Sequence, residues 1–220
     1  MDQFIREVDE EYRRERIAQI WAKWGALIVV AAVLVVAGVG GWRYWEHRQA
    51  GLSEAASLRF DEALRLSREG KGDQSEAVLQ SLGNEAPGGY RLLARFRYAA
   101  ERGRTDPSAG AVAYDALADD ATIEAGLRDL ARLRAAMLRL DGADPSVAVA
   151  ALERINTPTS PWRHTAREML GLAALKRGDF DGAGRWFDAI AQDRDTPQNL
   201  RSRLEIYTAL AAGGPVQVTQ

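Results

Sequence analysis

An uncharged stretch of 19 residues near the N-terminus constrains this chain more than any other feature. It runs from Trp24 to Trp42 and reads WGALIVVAAVLVVAGVGGW. A helix rises about 1.5 Å per residue, so about 20 apolar residues cross the hydrocarbon core of a bilayer. Aromatic side chains, which favour the membrane–water interface, bracket the stretch: Trp21, Trp24, Trp42, Tyr44 and Trp45. We therefore predict a transmembrane helix with an aromatic exit over residues 24–45, and these five side chains at the membrane interfaces.

A cleaved signal peptide is the main alternative to a retained anchor. Such a peptide has about 7–15 apolar residues, which follow a short basic segment and precede a cleavage site of small residues. Here 23 residues precede the stretch, and six of them are acidic. The exit Trp42-Arg43-Tyr44-Trp45 has no small-residue pattern. These features favour an anchor that stays in the mature protein.

The basic residues on the two sides of the span predict its orientation. The N-terminal side carries five of them and the C-terminal side three over a similar distance: Arg6, Arg13, Arg14, Arg16 and Lys23, against Arg43, Arg48 and Arg59. Lys and Arg are more frequent on the cytoplasmic side. We expect residues 1–23 to form a charged cytoplasmic arm, either solvated or lying on the membrane surface, and the rest of the chain to lie outside the cytoplasm.

The residues after the span show helical patterns throughout. Leu and Ala recur at i, i+3, i+4 spacing with charges between them, and clusters of Gly, Asp and Pro separate the segments. The segments are Leu58–Ser67, Tyr90–Glu101, Ile123–Leu140 and Thr165–Lys176. No alternating β-branched run appears. We predict an all-α fold, with a helical domain over residues 46–212 and a flexible tail at 213–220.

A repeat of about 35 residues organises this helical region. In the clearest copy, Leu170-Gly171 is followed by the turn Gly178–Asp181, then by Ala183 and Phe187. This order is similar to the tetratricopeptide motif, in which small residues lie where two helices cross and an aromatic residue fills the space beside them. Weaker copies place the small residue at Ala77, Ala111 and Ala148, with 34, 37 and 35 residues between successive positions up to Ala183. We therefore predict a tetratricopeptide-like solenoid of helix–turn–helix units.

The composition argues against several classes of function. The chain has no cysteine, two distant histidines and a net charge of −2, so we expect no metal site, no cofactor and no nucleic-acid partner. No known catalytic signature occurs. The segment Gly70-Lys71-Gly72 follows a helix and lacks the phosphate-loop pattern, so it is interpreted as a repeat turn. The chain is predicted not to be an enzyme.

A solenoid presents an extended concave face, which the first helix of each pair lines. The repeat copies place six candidate protein-binding residues near that face: Leu93, Phe96, Leu133, Met137, Leu172 and Lys176. A basic rim of Arg95, Arg132 and Arg139 would favour an acidic or amphipathic protein segment. The alternative is that most of the apolar residues in this set belong to the core.

The order of these parts, with the exit Gly-Trp-Arg-Tyr-Trp from Gly41 to Trp45, resembles the bacterial ancillary translocon subunits. These are single-pass proteins of the inner membrane with a periplasmic tetratricopeptide-like domain. The resemblance implies a binding module at the protein-export channel, with the channel, periplasmic chaperones or exported clients as partners. A structural adaptor of another envelope complex would use the same surface. Ala37 and Gly41 form a small-xxx-small pair, which is compatible with a homo-oligomer.

The anchor assignment predicts that Val33→Arg impairs membrane insertion. A charge at the centre of a span costs about 2.5–3.5 kcal/mol on the insertion scale. Cell fractionation measures the outcome, and the variant should leave the membrane fraction in substantial part. A variant that still fractionates fully with membranes would show that the anchor is assigned incompletely.

Overall fold

The structure is a computed structural model and describes the backbone of residues 2–142 and 145–214. Side chains are described for residues 21–142 and 145–214, except at positions 28 and 32. Within this part of the chain there are nine α-helices and no strand. The tail residues 215–220, Asp144 of the third repeat copy and the side chains of the N-terminal arm lie outside the described set.

The helices follow one another through short connections. Their bounds are α1 Asp2–Arg68, α2 Gly72–Glu85, α3 Gly88–Thr105, α4 Pro107–Ala118, α5 Ala125–Leu140, α6 Ser146–Ile155, α7 Arg163–Lys176, α8 Phe180–Ala191 and α9 Gln198–Gly213. Three of the four segments that the sequence predicts as helical lie within helices, and the fourth, Ile123–Leu140, begins two residues before α5; the all-α prediction is confirmed.

The chain divides into two compact units, Met1–Ala55 and Ala56–Gln220. In the first unit, α1 is long and apolar enough to cross a bilayer by length and composition. Its described apolar side chains are nearly all exposed, and Val36 reaches 71%. The five interface aromatics are exposed as well. An apolar surface of this extent is unfavourable in water, so this unit has the properties of a helix surrounded by lipid.

The second unit consists of four helix pairs and a final helix. Residues 56–68 of α1 pair with α2, and the pairs α3–α4, α5–α6 and α7–α8 follow, with α9 last. Its core is a row of four clusters, each formed by one second helix and the two first helices that flank it. Each pair thus packs on its neighbours alone, as in a solenoid, and the tetratricopeptide-like prediction is confirmed.

The last pair matches the predicted motif closely. Phe187 of α8 is fully buried against α7, and a Cβ atom on Gly171 would lie 2.8 Å from Phe187 Cζ. Gly178 makes the turn with a φ of 76°, a conformation that glycine adopts without steric cost. The carboxylate of Asp179 accepts a hydrogen bond from Gly182 N at 2.8 Å and caps α8.

In the first repeat copy, formed by residues 56–68 of α1 and by α2, the motif positions lie two residues before the predicted ones. Gly70, with a φ of 77°, makes the turn at the position that Gly178 has in the last pair. Ser75 is fully buried at the helix crossing, whereas Ala77 is exposed. The Ser75 hydroxyl donates a hydrogen bond to Ala63 O at 2.8 Å, which satisfies the buried polar group. A search for alanine alone therefore selects the wrong position.

The second copy is shifted by one residue. Gly110, rather than Ala111, lies at the close crossing of α3 and α4, where a Cβ atom would be 2.6 Å from Gly103 N. Asp106 caps α4 by accepting a hydrogen bond from Ala109 N at 3.0 Å. In the third copy, the small residue Ala148 is fully buried as predicted, and Leu152, at the position that Phe187 has in the last pair, is fully buried as well.

Nearly buried carboxylates connect the first pair to α3 and the last pair to α9. Arg203 of α9 donates two hydrogen bonds, of 2.9 and 3.0 Å, to Glu168 of α7, which is 4% exposed. Arg102 of α3 donates to Glu76 of α2 at 3.0 Å. Loss of either arginine would leave a carboxylate with little access to water, which is strongly destabilising.

The connection between α8 and α9 is held by a cluster around Asp193. This carboxylate accepts hydrogen bonds from Arg163 and Arg167, both at 3.1 Å. His164 is buried beside it, with Nδ1 3.4 Å from the Thr196 hydroxyl oxygen. The Thr196 hydroxyl donates a hydrogen bond to Ile190 O at 2.7 Å, so its oxygen accepts a hydrogen bond from His164 Nδ1. The other ring nitrogen, Nε2 of His164, has no partner among the described residues.

Gly171→Ala should destabilise the last pair, because the new methyl group would overlap the Phe187 ring. Overpacking of this kind costs about 1–3 kcal/mol, so the melting temperature of the full chain in detergent should fall. Gly184→Ala on α8 is the matched control: a Cβ atom there meets no atom within 4 Å, and the change should be neutral or stabilising by up to about 1 kcal/mol. Equal effects of the two variants would contradict the assigned crossing.

The burial of His164 predicts a loss of stability in mild acid. Desolvation lowers the pKa of His164 despite the opposing attraction of Asp193, and Arg163 and Arg167 lower it further. Stability is therefore complete above the unfolded-state pKa of about 6.5 and falls as the pH drops below it. The melting temperature should decrease between about pH 7.5 and pH 5, and this decrease should be smaller in His164→Asn. Parallel pH profiles for the two proteins would exclude His164 as the cause.

Candidate protein-binding surface

A groove lies between α5 and α7, the first helices of two adjacent pairs. We call it the α5–α7 groove, and its volume is about 240 Å³. Its apolar lining comes from both helices, and an ion pair lies at one end. The lining residues are Met137, Leu140, Asp141, Met169, Leu172, Ala173 and Lys176.

Helical spacing accounts for this arrangement. On α7, Met169, Leu172, Ala173 and Lys176 are separated by three, one and three residues, so they share one face of the helix. Met137 is exposed on this surface, whereas Leu140 and Met169 are partly buried and also pack against the core between α5, α6 and α7. Two methionines are suited to such a surface, because their unbranched thioether side chains adapt to different apolar shapes.

The ion pair at the end of the groove also closes α5. Lys176 Nζ donates to Asp141 Oδ1 at 2.8 Å and to the carbonyl oxygen of Leu140 at 3.3 Å. A cation near the C-terminus of a helix interacts favourably with its dipole. Both side chains are exposed, so the pair adds little to stability. A partner could therefore replace either member at low cost.

The six candidate residues have different environments. Met137, Leu172 and Lys176 come together in the α5–α7 groove, with Met137 37% exposed. Leu133 is only 3% exposed and belongs to the core between α5, α6 and α7, so it is not part of a surface. Phe96 packs on the ring of Tyr114 in the core of the second pair. Leu93 is exposed on α3, away from the groove.

The basic rim predicted beside these residues is already paired within the chain. Arg95 Nη1 lies 2.6 Å from Asp120 Oδ2, and the hydrogen bonds from Thr122 and then from Arg95 lower the pKa of Asp120 to about 2. Arg132 pairs with Asp129 at 2.9 Å, and Arg139 pairs with Asp115. Each arginine of the predicted rim is therefore already paired, with a carboxylate from a loop, from its own helix or from a second helix.

Sequence reasoning missed Met169, Leu140 and Asp141. Met169 lies three residues before Leu172 on the same helix, so the helical period could have identified it. Leu140 and Asp141 end α5, and their place beside Lys176 depends on how α5 packs on α7. The groove offers thioether and aliphatic contacts with one exchangeable ion pair, a chemistry suited to noncovalent binding of an apolar side chain.

The helix pairs can now be compared with known proteins. A family model described as a tetratricopeptide repeat-like domain matches residues 19–207. The "Ancillary SecYEG translocon subunit" of Escherichia coli is 27% identical over 192 residues, which cover 86% of this chain and 90% of that protein. The protein of the same name from Aggregatibacter actinomycetemcomitans is 26% identical and covers 84% of this chain and 90% of its own length. No solved structure matches the chain significantly.

These relatives confirm the resemblance to the ancillary translocon subunits. The family model covers the span and all four helix pairs, and it ends within α9. The chain therefore belongs to the tetratricopeptide repeat-like domain family.

Proposed function

We propose that this chain is a membrane-anchored binding module at the protein-export translocon. In this proposal, the α5–α7 groove holds a segment of a periplasmic chaperone or of a newly exported client. The observation that carries the proposal is the open groove of Met137, Met169 and Leu172, on a chain whose relatives are named ancillary SecYEG translocon subunits.

The lining of the groove indicates what kind of segment it would hold. A volume of about 240 Å³ suits one large or two small apolar side chains, and pockets of this kind give specificity to peptide recognition. Methionine-rich surfaces repack around different partners, which suits clients of varied sequence. A charged group of either sign, next to the bound apolar side chain, can replace one member of the Lys176–Asp141 ion pair.

The proposed placement extends the sequence analysis. Residues 1–23 form the cytoplasmic arm, residues 24–45 cross the inner membrane and residues 46–212 form the periplasmic domain. The excess of basic residues before the span supports this orientation. The exposed apolar surface of α1 supports the anchor, because only a membrane or a protein partner would cover it.

Met137→Glu tests the proposed groove. Burial of a methionine contributes about 1.5–3 kcal/mol, so a charge at this position should reduce cross-linking to channel, chaperone or client proteins about tenfold or more in native membranes. Val112→Glu is the matched control, because Val112 is exposed on α4 and does not line this groove.

Two results would contradict the proposal. Equal cross-linking by Met137→Glu and Val112→Glu would exclude the α5–α7 groove as the binding site. Cross-links to division or wall-synthesis proteins alone would instead favour the structural adaptor.

A further inference from the structure

A second groove lies between α8 and the C-terminal half of α9. We call it the α8–α9 groove, and its volume is about 550 Å³. The residues that matter here are Asp181, Gly184 and Asp188 of α8, and Thr208, Ala211 and Ala212 of α9. None of these residues lines the α5–α7 groove.

A comparison of α8 and α9 with α4 and α5 shows that a basic side chain is missing from this groove. Asp115 lies five residues after Gly110 on α4, and Asp188 lies five residues after Ala183 on α8, so the two carboxylates occupy equivalent positions. Asp115 is held by Arg139, whose Nη1 donates at 3.0 Å and whose Nη2 makes a second, shorter contact. Arg139 is the fifteenth residue of the 16-residue helix α5. The fifteenth residue of the 16-residue helix α9 is Ala212.

The two α8 carboxylates therefore lack a cationic partner within residues 2–142 and 145–214. Asp188 and Asp181 are both exposed, and neither accepts a hydrogen bond or an ion pair from the residues that the structure describes. Arg185, on the rim between them, makes no ion pair with a described residue either. The rim thus carries two negative charges and one positive charge, and it is complementary to a basic side chain.

The floor of the groove is small and open. A Cβ atom on Gly184 would meet no atom within 4 Å, and α9 contributes two alanines. Small residues let a helix backbone approach closely. Each earlier first helix is covered by its own second helix, whereas no helix in the described part of the chain covers α9 on this side.

We propose that the α8–α9 groove binds a helical segment of another protein, which presents an arginine or lysine to Asp188. The segment lies on Gly184, Ala211 and Ala212 and takes the place of a second helix for α9. Its cation takes the place that Arg139 has beside Asp115. A bidentate arginine fits this geometry best, because its planar fork matches a carboxylate.

The test uses a photo-cross-linking amino acid at position 208 of the full chain in native membranes. The cross-linked peptide should map, by mass spectrometry, to a helical segment with a Lys or Arg within one turn. Asp188→Asn should reduce this product about tenfold. Asp61→Asn, which changes an exposed acid of α1 outside the groove, should leave it unchanged.

Ala212→Arg gives the sharpest comparison. The new arginine would pair with Asp188 within the chain, as Arg139 does with Asp115, so the product should disappear while the melting temperature is unchanged or rises. Met137→Glu should have no effect on the product, which separates this proposal from the one made for the α5–α7 groove.

Four outcomes would overturn the proposal. They are no product at position 208, a product that persists in both Asp188→Asn and Ala212→Arg, a product that maps to a segment without a basic residue, and a product that maps to a second copy of this chain. The last result would make the groove an interface between copies.

Discussion

The close crossing of the two helices in each pair is the contact on which the domain depends. Gly171 lets the ring of Phe187 lie against the backbone of α7. At the crossing of α3 and α4, Gly103 and Gly110 let the two backbones approach closely. These crossings bring each second helix between two first helices, and the four core clusters follow from that position. A larger residue at a crossing would separate the pair and open the core on both sides, because interiors are close-packed.

Ion pairs between successive helix pairs add to these contacts. Acids such as Glu76, Asp115 and Glu168 are held by an arginine from the next first helix along the chain. The pairs of Glu76 and Glu168 fix the neighbouring repeat in place, since loss of the arginine leaves a poorly solvated charge. The helix α9 supplies Arg203 to Glu168, but it has Ala212 where α5 has Arg139. Asp188 therefore has no counterpart of Arg139 in the described part of the chain.

The two grooves arise from different features of the same repeat. The α5–α7 groove lies between two first helices, where Met137 is exposed and Met169 is partly buried. The α8–α9 groove lies where a further second helix would pack, and it has small residues and unpaired charge. One surface thus suits apolar side chains, and the other suits a basic helix. A module at a membrane could contact two proteins at once through them.

The sequence by itself determined the features that depend on local patterns. The anchor follows from an uncharged run of sufficient length, the helices follow from their period, and the last pair follows from Gly171, Gly178 and Phe187. Tertiary packing alone decided the rest. Leu133 and Met137 are one turn apart on α5, yet the first is buried and the second exposed, because α6 and α7 cover only one of them. Likewise, the polar Ser75 is accommodated at the first crossing because its hydroxyl donates a hydrogen bond to Ala63 O, which lies on a different helix.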